Sequence, residues 1–374
     1  MAVEQAQLPE GVPSLNTYYV YLTAGCNLAC QHCWLSPTYQ SSGGTGGHLD
    51  YDLLAQAIGE GMPLGLSSVK LTGGEPLLHP DFVKIVDLMQ EKGLNLNIET
   101  NGKLMDGSLA CYLKEKSTLG HISVSLDGAC AATHDPFRGV KGSFDKAVQG
   151  IRYLVEVGFH PQVIMSLHPG NVKEIEDLVR LAESLGAGSV KFNLIQPTGR
   201  GAVMTERGKV MGIEKLVEIG RWVEHDLQKQ TGLSLHYSWP MAFHSLRHLM
   251  DNGNDTCGIF GILGLLPEGL FAMCGIGIQI PELSYGRIGQ DALVDVWYRH
   301  PTLRALRQSL PEKLEGVCGA CIFQAQCLGS CVAENYHQSK RLTAPYWFCE
   351  QAVQRGVFPG ERLKQATSPE ALSL

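Results

Sequence analysis

Short apolar runs alternate with longer amphipathic stretches through the first two hundred residues of the chain. The short runs have the length of β-strands, whereas the longer stretches repeat their apolar positions with the period of a helix. The predicted strands cover 17–22, 67–72, 94–99, 121–126, 161–167 and 189–195. The predicted helices, several opened by capping residues, include 50–62, 81–92, 143–157 and 171–185. Alternation of strand and helix predicts parallel βαβ units, and therefore an α/β fold.

Three cysteines follow the first predicted strand with the spacing Cys26-x3-Cys30-x2-Cys33. A [4Fe–4S] cluster takes four ligands, so three thiolates leave one iron open to bind another molecule. The alternative is a structural zinc site with His32 as fourth ligand, although structural zinc sites usually bind through two pairs of ligands.

A glycine pair and an acidic residue follow the second predicted strand, in the order Lys70-Leu71-Thr72-Gly73-Gly74-Glu75-Pro76. Paired glycines let a bound molecule approach the backbone closely, and Glu75 could then hold an ammonium group. A Gly-Gly-Glu-Pro string alone could be a turn. Downstream of a three-cysteine loop it favours the cluster over zinc.

The two motifs together resemble the radical S-adenosylmethionine superfamily. The resemblance implies that Cys26, Cys30 and Cys33 bind a [4Fe–4S] cluster whose open iron chelates the amino and carboxylate groups of S-adenosylmethionine. Gly73, Gly74, Glu75 and Pro76 would contact the same amino group. Reduction of the cluster would cleave the sulfonium and release a 5′-deoxyadenosyl radical that abstracts hydrogen from an unactivated carbon. The implied fold is a partial (β/α)6 TIM-like barrel with these motifs at the C-terminal ends of its strands.

Two further strand ends fit the same family. Ser123-Val124-Ser125-Leu126-Asp127-Gly128 resembles its fourth-strand motif, whose serine, here Ser125, reaches the ribose or carboxylate of S-adenosylmethionine. His134-Asp135 to Arg138-Gly139 resembles a loop whose arginine, here Arg138, meets the carboxylate. Each motif has an ordinary alternative, a strand entering a turn and a surface arginine. Glu99, Thr100 and Asn101 close the third strand, and 193–201 closes the sixth, where the resemblance places the adenine.

Seven more cysteines lie in the last third of the chain: Cys257, Cys274, Cys318, Cys321, Cys327, Cys331 and Cys349. Their order resembles the SPASM domain, an extension that carries auxiliary iron–sulfur clusters, here expected as [4Fe–4S], in peptide-modifying radical enzymes. The resemblance implies an outer cluster on Cys318, Cys321, Cys327 and Cys349, and an inner cluster on Cys257, Cys274 and Cys331. Zinc ribbons are the alternative, because Cys-x2-Cys pairs also bind zinc.

The predicted organisation is an N-terminal extension (1–16), the barrel (17–235), the SPASM domain (236–349) and a C-terminal tail (350–374). Two positions depart from related sequences. The stretch 258–264 holds no further cysteine, so the inner cluster would keep an open iron or take another ligand such as Asp255. Gly275 stands where anaerobic sulfatase maturases carry an aspartate proposed as the base.

Several residues are expected to have structural roles. Cys111 and Cys130 belong to neither cysteine set, and a lone cysteine is usually a small buried hydrophobe. The histidines beside the strands are expected to be structural as well: His121, His134, His160 and His168. The loop 41–47 is expected to be flexible and without chemistry. No catalytic acid or base is identified.

The amino-acid composition restricts the kinds of partner and the cellular compartment that are expected for this protein. The chain has 374 residues, 44% of them hydrophobic, which suffices for a barrel and a smaller domain. Its formal net charge is −7 without a long basic run, which disfavours nucleic acid as a partner. No apolar run reaches the roughly 18 residues of a membrane helix, and cysteine motifs of this kind are typical of a reducing compartment. A cytoplasmic protein is expected.

The favoured function is a radical enzyme that modifies a ribosomally made peptide by a crosslink, thioether, epimerisation or backbone excision. The alternatives are an anaerobic sulfatase-maturase-like enzyme and a non-catalytic iron–sulfur electron carrier or redox sensor. The expected partners are the precursor peptide and a reductant such as flavodoxin or ferredoxin. A separate small leader-binding protein is also expected, because the segments outside the two domains are shorter than an independent domain of about 50 residues.

Overall fold

A computed structural model of the chain describes residues 8–41, 43–252 and 257–364. The described residues divide into two compact units. The first unit contains 8–41, 43–211, 221–238 and 258–307, and the second contains 212–220, 239–252, 257 and 308–364. The domain boundaries expected from the sequence stay a prediction.

The strands are short and lie mostly in the first half of the chain. They are β1 (Thr17–Tyr21), β2 (Gly25–Cys26), β3 (Thr38–Tyr39), β4 (Ser68–Thr72), β5 (Asn95–Thr100), β6 (Leu119–Ser125), β7 (Gln162–Leu167), β8 (Ser189–Leu194), β9 (Ser234–Tyr237), β10 (Ile262–Leu265), β11 (Leu270–Ala272) and β12 (Ser284–Arg287).

The helices follow the strands through the first unit and then dominate the second. They are α1 (Tyr51–Gly61), α2 (Phe82–Lys92), α3 (Gly107–Lys116), α4 (Ala131–Arg138), α5 (Ser143–Glu156), α6 (Ile175–Ser184), α7 (Gly199–Glu206), α8 (Ile213–His225), α9 (Leu246–Asn252), α10 (Leu293–Arg299), α11 (Pro301–Ser309), α12 (Gly316–Ala320), α13 (Gln324–Cys327), α14 (Val332–Ser339) and α15 (Trp347–Gln354).

Local sequence explains where several helices begin and end. Asp50 precedes α1, and its carboxylate accepts hydrogen bonds from the backbone N–H groups of Asp52 and Leu53. Asp106 caps α3 through the N–H of Leu109 in the same way. These side chains satisfy donors that the first helical turn leaves unpaired. Helix α2 ends at Gly93, whose φ of 65° favours glycine.

Ten strands of the first unit form one sheet in the order β12-β11-β10-β1-β4-β5-β6-β7-β8-β9. The eight strands from β10 to β9 in this order are parallel to their neighbours, whereas β11 and β12 pair antiparallel at one edge. Strands β2 and β3 form a separate parallel pair. The six predicted strands are confirmed as β1 and β4 to β8, and the α/β barrel class with them. The sequence interpretation missed β2, β3 and β9 to β12.

The two faces of the sheet differ in polarity. On one face alternate residues such as Val69 and Leu71 of β4 are fully buried, and the hydroxyl of Tyr18 donates to the carbonyl of Ala57 in α1 at 2.9 Å. Helices therefore cover this face. The alternate residues of the opposite face, here called the polar face, include Tyr19, Lys70, Asn97, Glu99, His121, Gln162, Lys191 and His236.

Parallel sheets are usually apolar on both faces, and closed barrels fill their interior with bulky apolar side chains. The polar face departs from both rules, which indicates an interior able to receive a polar ligand. Within the described ranges, no helix is long and apolar enough to cross a membrane.

The second unit packs around aromatic side chains. The ring of Phe243 lies 5.0 Å from that of Phe348 and 5.6 Å from that of Phe358, both edge-on. The guanidinium of Arg362 donates to the carbonyl of His244 at 3.2 Å. These contacts join the segment around residue 243 to α15 and to the segment that follows it.

Candidate active site

The first three predicted cysteines lie together in one loop at the C-terminal end of β1. Cys26 and Cys30 are buried and Cys33 is half-buried, and all three belong to one apolar cluster with Leu28. Burial raises the pKa of both buried thiols, and the neighbouring Glu75 carboxylate raises that of Cys26 further. Thiolates are therefore unfavourable here without a bound cation, which is the environment that a metal cluster would satisfy.

The Gly-Gly-Glu-Pro motif packs directly on this loop. Gly73 has a φ of +125°, and a Cβ at Gly74 would lie 1.9 Å from the carbonyl oxygen of Gly25. Only a glycine at 74 allows the two backbones to come so close. Since Gly25 precedes Cys26, the glycine pair fixes the start of the cysteine loop.

The carboxylate of Glu75 is 1% exposed and accepts three hydrogen bonds. The donors are the hydroxyl of Thr100 at 2.7 Å, the N–H of Leu77 at 3.1 Å and the N–H of Asn101 at 2.9 Å. Burial raises the pKa of Glu75, while these donors oppose the shift. The motif is thus tied to the end of β5.

Asn101 connects the end of β5 to the cysteine loop. Its side-chain amide nitrogen lies 3.8 Å from the Cys26 sulfur and 2.8 Å from the side-chain oxygen of Asn27. A hydrogen bond donated to a cysteine sulfur is one of the features that set the reduction potential of an iron–sulfur cluster. The sequence interpretation placed Asn101 at a strand end but gave it no role.

Arg138 forms a buried ion pair with Asp127. Its Nε lies 2.6 Å from Asp127 Oδ2, and its Nη1 lies 3.6 Å from the sulfur of Cys30. Asp127 is fully buried and accepts a further hydrogen bond from the N–H of Ser166 at 2.7 Å. Although burial acts in the opposite direction, the Arg138 charge helps hold the pKa of Asp127 below its usual value. The sequence interpretation missed Asp127 as the partner of Arg138.

His32 lies beside this ion pair and stacks on an aromatic ring. Its Nε2 is 3.9 Å from Asp127 Oδ2, and its ring lies 4.4 Å from the parallel ring of Phe137. Phe137 stacks in turn on His168 at 4.0 Å. Burial lowers the pKa of His32 to about 3, so the imidazole is neutral.

The remaining predicted positions lie at the C-terminal ends of two further strands. Ser125 ends β6. In the stretch 193–201, the N–H of Arg200 donates to the Ser36 hydroxyl at 2.8 Å and to the Cys33 carbonyl at 3.0 Å. The first turn of α7 is thereby attached to the third cysteine of the loop.

Gly275 follows Cys274 and packs against Tyr21 of β1. A Cβ at position 275 would lie 2.3 Å from the Tyr21 ring, and Tyr21 is 3% exposed. The absence of a side chain at 275 is therefore a packing requirement in this chain, in addition to the loss of the aspartate expected in sulfatase maturases.

The four cysteines predicted for the outer cluster surround one cavity in the second unit. Cys318, Cys321, Cys327 and Cys349 line a cavity of about 20 Å³ together with Pro240 and Phe358. The backbone nitrogen of Tyr346 lies 3.4 Å from the sulfur of Cys318. The backbone nitrogen of Phe323 lies 3.4 Å from the sulfur of Cys321. Four convergent thiols with amide donors suit a four-ligand metal centre.

The inner-cluster assignment remains a prediction. Cys274 belongs to the first unit, whereas Cys257 and Cys331 belong to the second. Asp255, the possible fourth ligand, lies outside the described residues. Ser42 of the loop expected to be flexible lies outside them too.

The expectation for the two remaining cysteines was wrong, because Cys111 and Cys130 are both exposed. Cys111 lies on α3 and Cys130 directly precedes α4, positions that the core does not cover. Of the barrel histidines, His134 is buried and its Nδ1 accepts from the N–H of Asp127 at 3.0 Å. This hydrogen bond from Asp127 gives His134 a structural role.

Known proteins resemble this chain in sequence. Residues 20–182 match the family model of the radical SAM superfamily. The AdoMet-dependent heme synthase of Methanosarcina barkeri is 31% identical over 84% of this chain and 90% of its own length. The antilisterial bacteriocin subtilosin biosynthesis protein AlbA of Bacillus subtilis is 32% identical over 85% of this chain and 67% of its own length.

The fold is also known from solved structures. The crystal structure of Streptococcus suis SuiB bound to the precursor peptide SuiA matches with a TM-score of 0.70 and 17% identity, covering 91% of this chain and 76% of that one. The sequence relatives and the three-cysteine loop on a parallel barrel show that the chain belongs to the radical S-adenosylmethionine superfamily. It is a member with a SPASM-type cysteine set, and it is an enzyme that uses S-adenosylmethionine and iron–sulfur clusters.

Proposed function

We propose that this chain modifies a ribosomally made precursor peptide by radical chemistry. The observation that carries the proposal is the three-thiol loop, held by Gly74 and Glu75, beside a sheet whose inner face is polar. Among the relatives, AlbA is named for the biosynthesis of a bacteriocin. SuiB, of the same fold, is bound to a precursor peptide.

Residues of the first unit would bind the cluster and S-adenosylmethionine. Cys26, Cys30 and Cys33 would hold the [4Fe–4S] cluster, and bound S-adenosylmethionine would supply the 5′-deoxyadenosyl radical. Gly73, Gly74, Glu75 and Pro76 would contact the amino group of S-adenosylmethionine, Ser125 would reach its ribose or carboxylate, and Arg138 would meet its carboxylate. In the structure Glu75 positions the loop through Thr100 and Asn101, while Arg138 places a fixed positive charge 3.6 Å from the Cys30 sulfur.

The auxiliary clusters belong to the same proposal. Cys318, Cys321, Cys327 and Cys349 would hold the outer cluster, which suits their convergence on one cavity. Cys257, Cys274 and Cys331 would hold the inner one. Such clusters would transfer the electron that is released when a substrate radical is oxidised to a closed-shell product.

The proposed partners are a reductant such as flavodoxin or ferredoxin and a small protein that delivers the leader of the peptide, with the reaction in the cytoplasm. A binding measurement with the purified chain tests the delivery protein. Tight, leader-dependent binding without any partner would contradict it.

A second candidate function is the modification of a tetrapyrrole, which is favoured by the 31% identity to a heme synthase. The experiment that separates the two is anaerobic incubation of the reconstituted enzyme with S-adenosylmethionine, a reductant and either substrate. The substrates are the precursor peptide encoded beside the gene and an iron tetrapyrrole with propionate side chains. The proposal predicts a mass change in the peptide alone, and a change confined to the tetrapyrrole would overturn it.

A further inference from the structure

The segment 362–364, here called the C-terminal segment, lies against the loop that carries Cys321 of the outer cluster. Its first carbonyl accepts a hydrogen bond from the N–H of Ile322, and its last N–H donates to the carbonyl of Ala320, both at 2.8 Å. Cys321 itself forms an antiparallel bridge with the middle residue of the segment. All of these residues belong to the second unit. The backbone that follows the last cysteine is therefore part of the wall of the outer-cluster site.

Side chains of the C-terminal segment hold the same loop. The Lys364 ammonium donates to the carbonyl of Gly319 at 3.1 Å. The Arg362 guanidinium lies 5.3 Å from the centre of the Phe323 ring. Because the backbone nitrogen of Phe323 lies 3.4 Å from the Cys321 sulfur, the arginine packs on the residue that supplies a donor to the cluster site.

Arg362 and Lys364 also bring two positive charges to this site. Among the described residues, no carboxylate forms an ion pair with either side chain. Arg362 is half-buried, whereas Lys364 is exposed. Burial raises the pKa of the Cys321 thiol, and the charges of Lys364 and Arg362 are among the influences that oppose this rise. The field of both cations thus reaches the sulfur that would bind iron.

We infer that Arg362 and Lys364 are positioning residues of the outer cluster and that their charges raise its reduction potential. The inference rests on the proposed function, since it concerns one of the auxiliary clusters. Four thiolate ligands give such a cluster a negative charge, and reduction adds a further electron. Nearby positive charge therefore stabilises the reduced state. A higher potential makes the outer cluster a better acceptor for the electron that a substrate radical releases.

A redox titration followed by electron paramagnetic resonance tests the inference on the anaerobically reconstituted enzyme. The signal of the outer cluster is identified as the one that Cys349→Ala removes. In Arg362→Gln the equilibrium constant for one-electron reduction should fall about tenfold, which lowers the midpoint potential by about 59 mV. Lys364→Gln should shift the potential in the same direction by less, because solvent and salt screen an exposed charge.

The control variant is Lys146→Gln, which removes one exposed positive charge from α5 of the first unit. Its outer-cluster potential should equal that of the wild type. Arg362→Lys and Lys364→Arg keep the charge and should restore the wild-type potential, which separates the effect of the field from a change in packing. If Arg362→Gln fails to bind the cluster, Lys364→Gln decides the question, because it leaves the guanidinium contacts in place.

Two results would overturn the inference. One is an outer-cluster potential in Arg362→Gln and Lys364→Gln that matches the Lys146→Gln control. The other is a Cys349→Ala variant that retains every cluster signal, since the outer-cluster assignment would then be wrong as well. The proposed function fails by a different result: an enzyme that shows the expected potentials but leaves the precursor peptide unmodified would refute that function and leave this inference standing.

Discussion

Replacing Gly74 with alanine should disrupt the cysteine loop from outside it. The added Cβ would lie 1.9 Å from the Gly25 carbonyl oxygen, and real Cβ atoms essentially never approach closer than 3.0 Å, so the two backbones must separate by about 1.1 Å. The Gly25 oxygen accepts from the N–H of Glu75 and from the hydroxyl of Thr23, both at 3.1 Å. Movement of this size breaks both hydrogen bonds.

The magnitude follows from these contacts. Each lost hydrogen bond costs about 1 kcal/mol, and forced overpacking of a rigid site costs about 1–3 kcal/mol. The first unit should therefore lose roughly 3–5 kcal/mol, which corresponds to a fall of about 10 °C in its melting temperature. Since Cys26 adjoins Gly25, the displaced loop should also fail to hold its cluster.

The assay compares iron content, the electron paramagnetic resonance spectrum and thermal melting after anaerobic reconstitution. Gly59→Ala is the matched control, because a Cβ at position 59 of α1 meets no atom within 4 Å. It should match the wild type or gain up to about 1 kcal/mol from helix propensity. A Gly74→Ala variant with an unchanged melting temperature and a full radical-site cluster would refute the packing argument.

Three other predictions concern residues outside the loop. Cys349→Ala should remove the spectroscopic signal of the outer cluster whereas Cys331→Ala should leave it, because Cys349 and not Cys331 lines the cavity with the other three thiols; loss of that signal in both variants would contradict the assignment. Gly275→Asp should lower the melting temperature, since the added side chain collides with Tyr21. It should not enable the enzyme to oxidise a sulfatase-type Cys or Ser. A Gly275→Asp variant that is as stable as the wild type and makes formylglycine would contradict both expectations. Burial raises the pKa of Glu334 to about 8, above the value of about 4.3 in an unfolded chain, so its contribution to stability is lost as the pH rises toward 8. The melting temperature of Glu334→Gln should therefore exceed that of the wild type by a margin that widens from pH 5 to pH 8, and a constant margin would exclude this titration.

The sequence predicted the central fold because its strands are long enough to show a pattern. Strand β4 alternates Val69, Lys70 and Leu71, and the structure confirms a strand at this position. Strands β9 to β12 have three or four residues each, too few for a period to be distinguished from chance.

The contacts between side chains of the site were harder to predict from the sequence than the strands were. The contact between Asp127 and Arg138 depends on how α4 folds back over the end of β6, which no local pattern specifies. The stacking of His32 on Phe137 likewise needs the tertiary structure. A usable signal was present all the same, because Asn101 and Asp127 are polar residues at the C-terminal ends of parallel strands, where barrel enzymes place their sites. For Cys111 and Cys130, the average burial of cysteine did not predict their exposed positions.

The most direct test of the account is reductive cleavage of S-adenosylmethionine by the purified, anaerobically reconstituted chain. The wild-type enzyme should form 5′-deoxyadenosine when given dithionite or reduced flavodoxin. A variant with Cys26, Cys30 and Cys33 all replaced by alanine should form none, while it retains the iron bound by the cysteines of the second unit. Cleavage that persists in the triple variant, or that is absent from the fully reconstituted wild type, would contradict the assignment of the radical site.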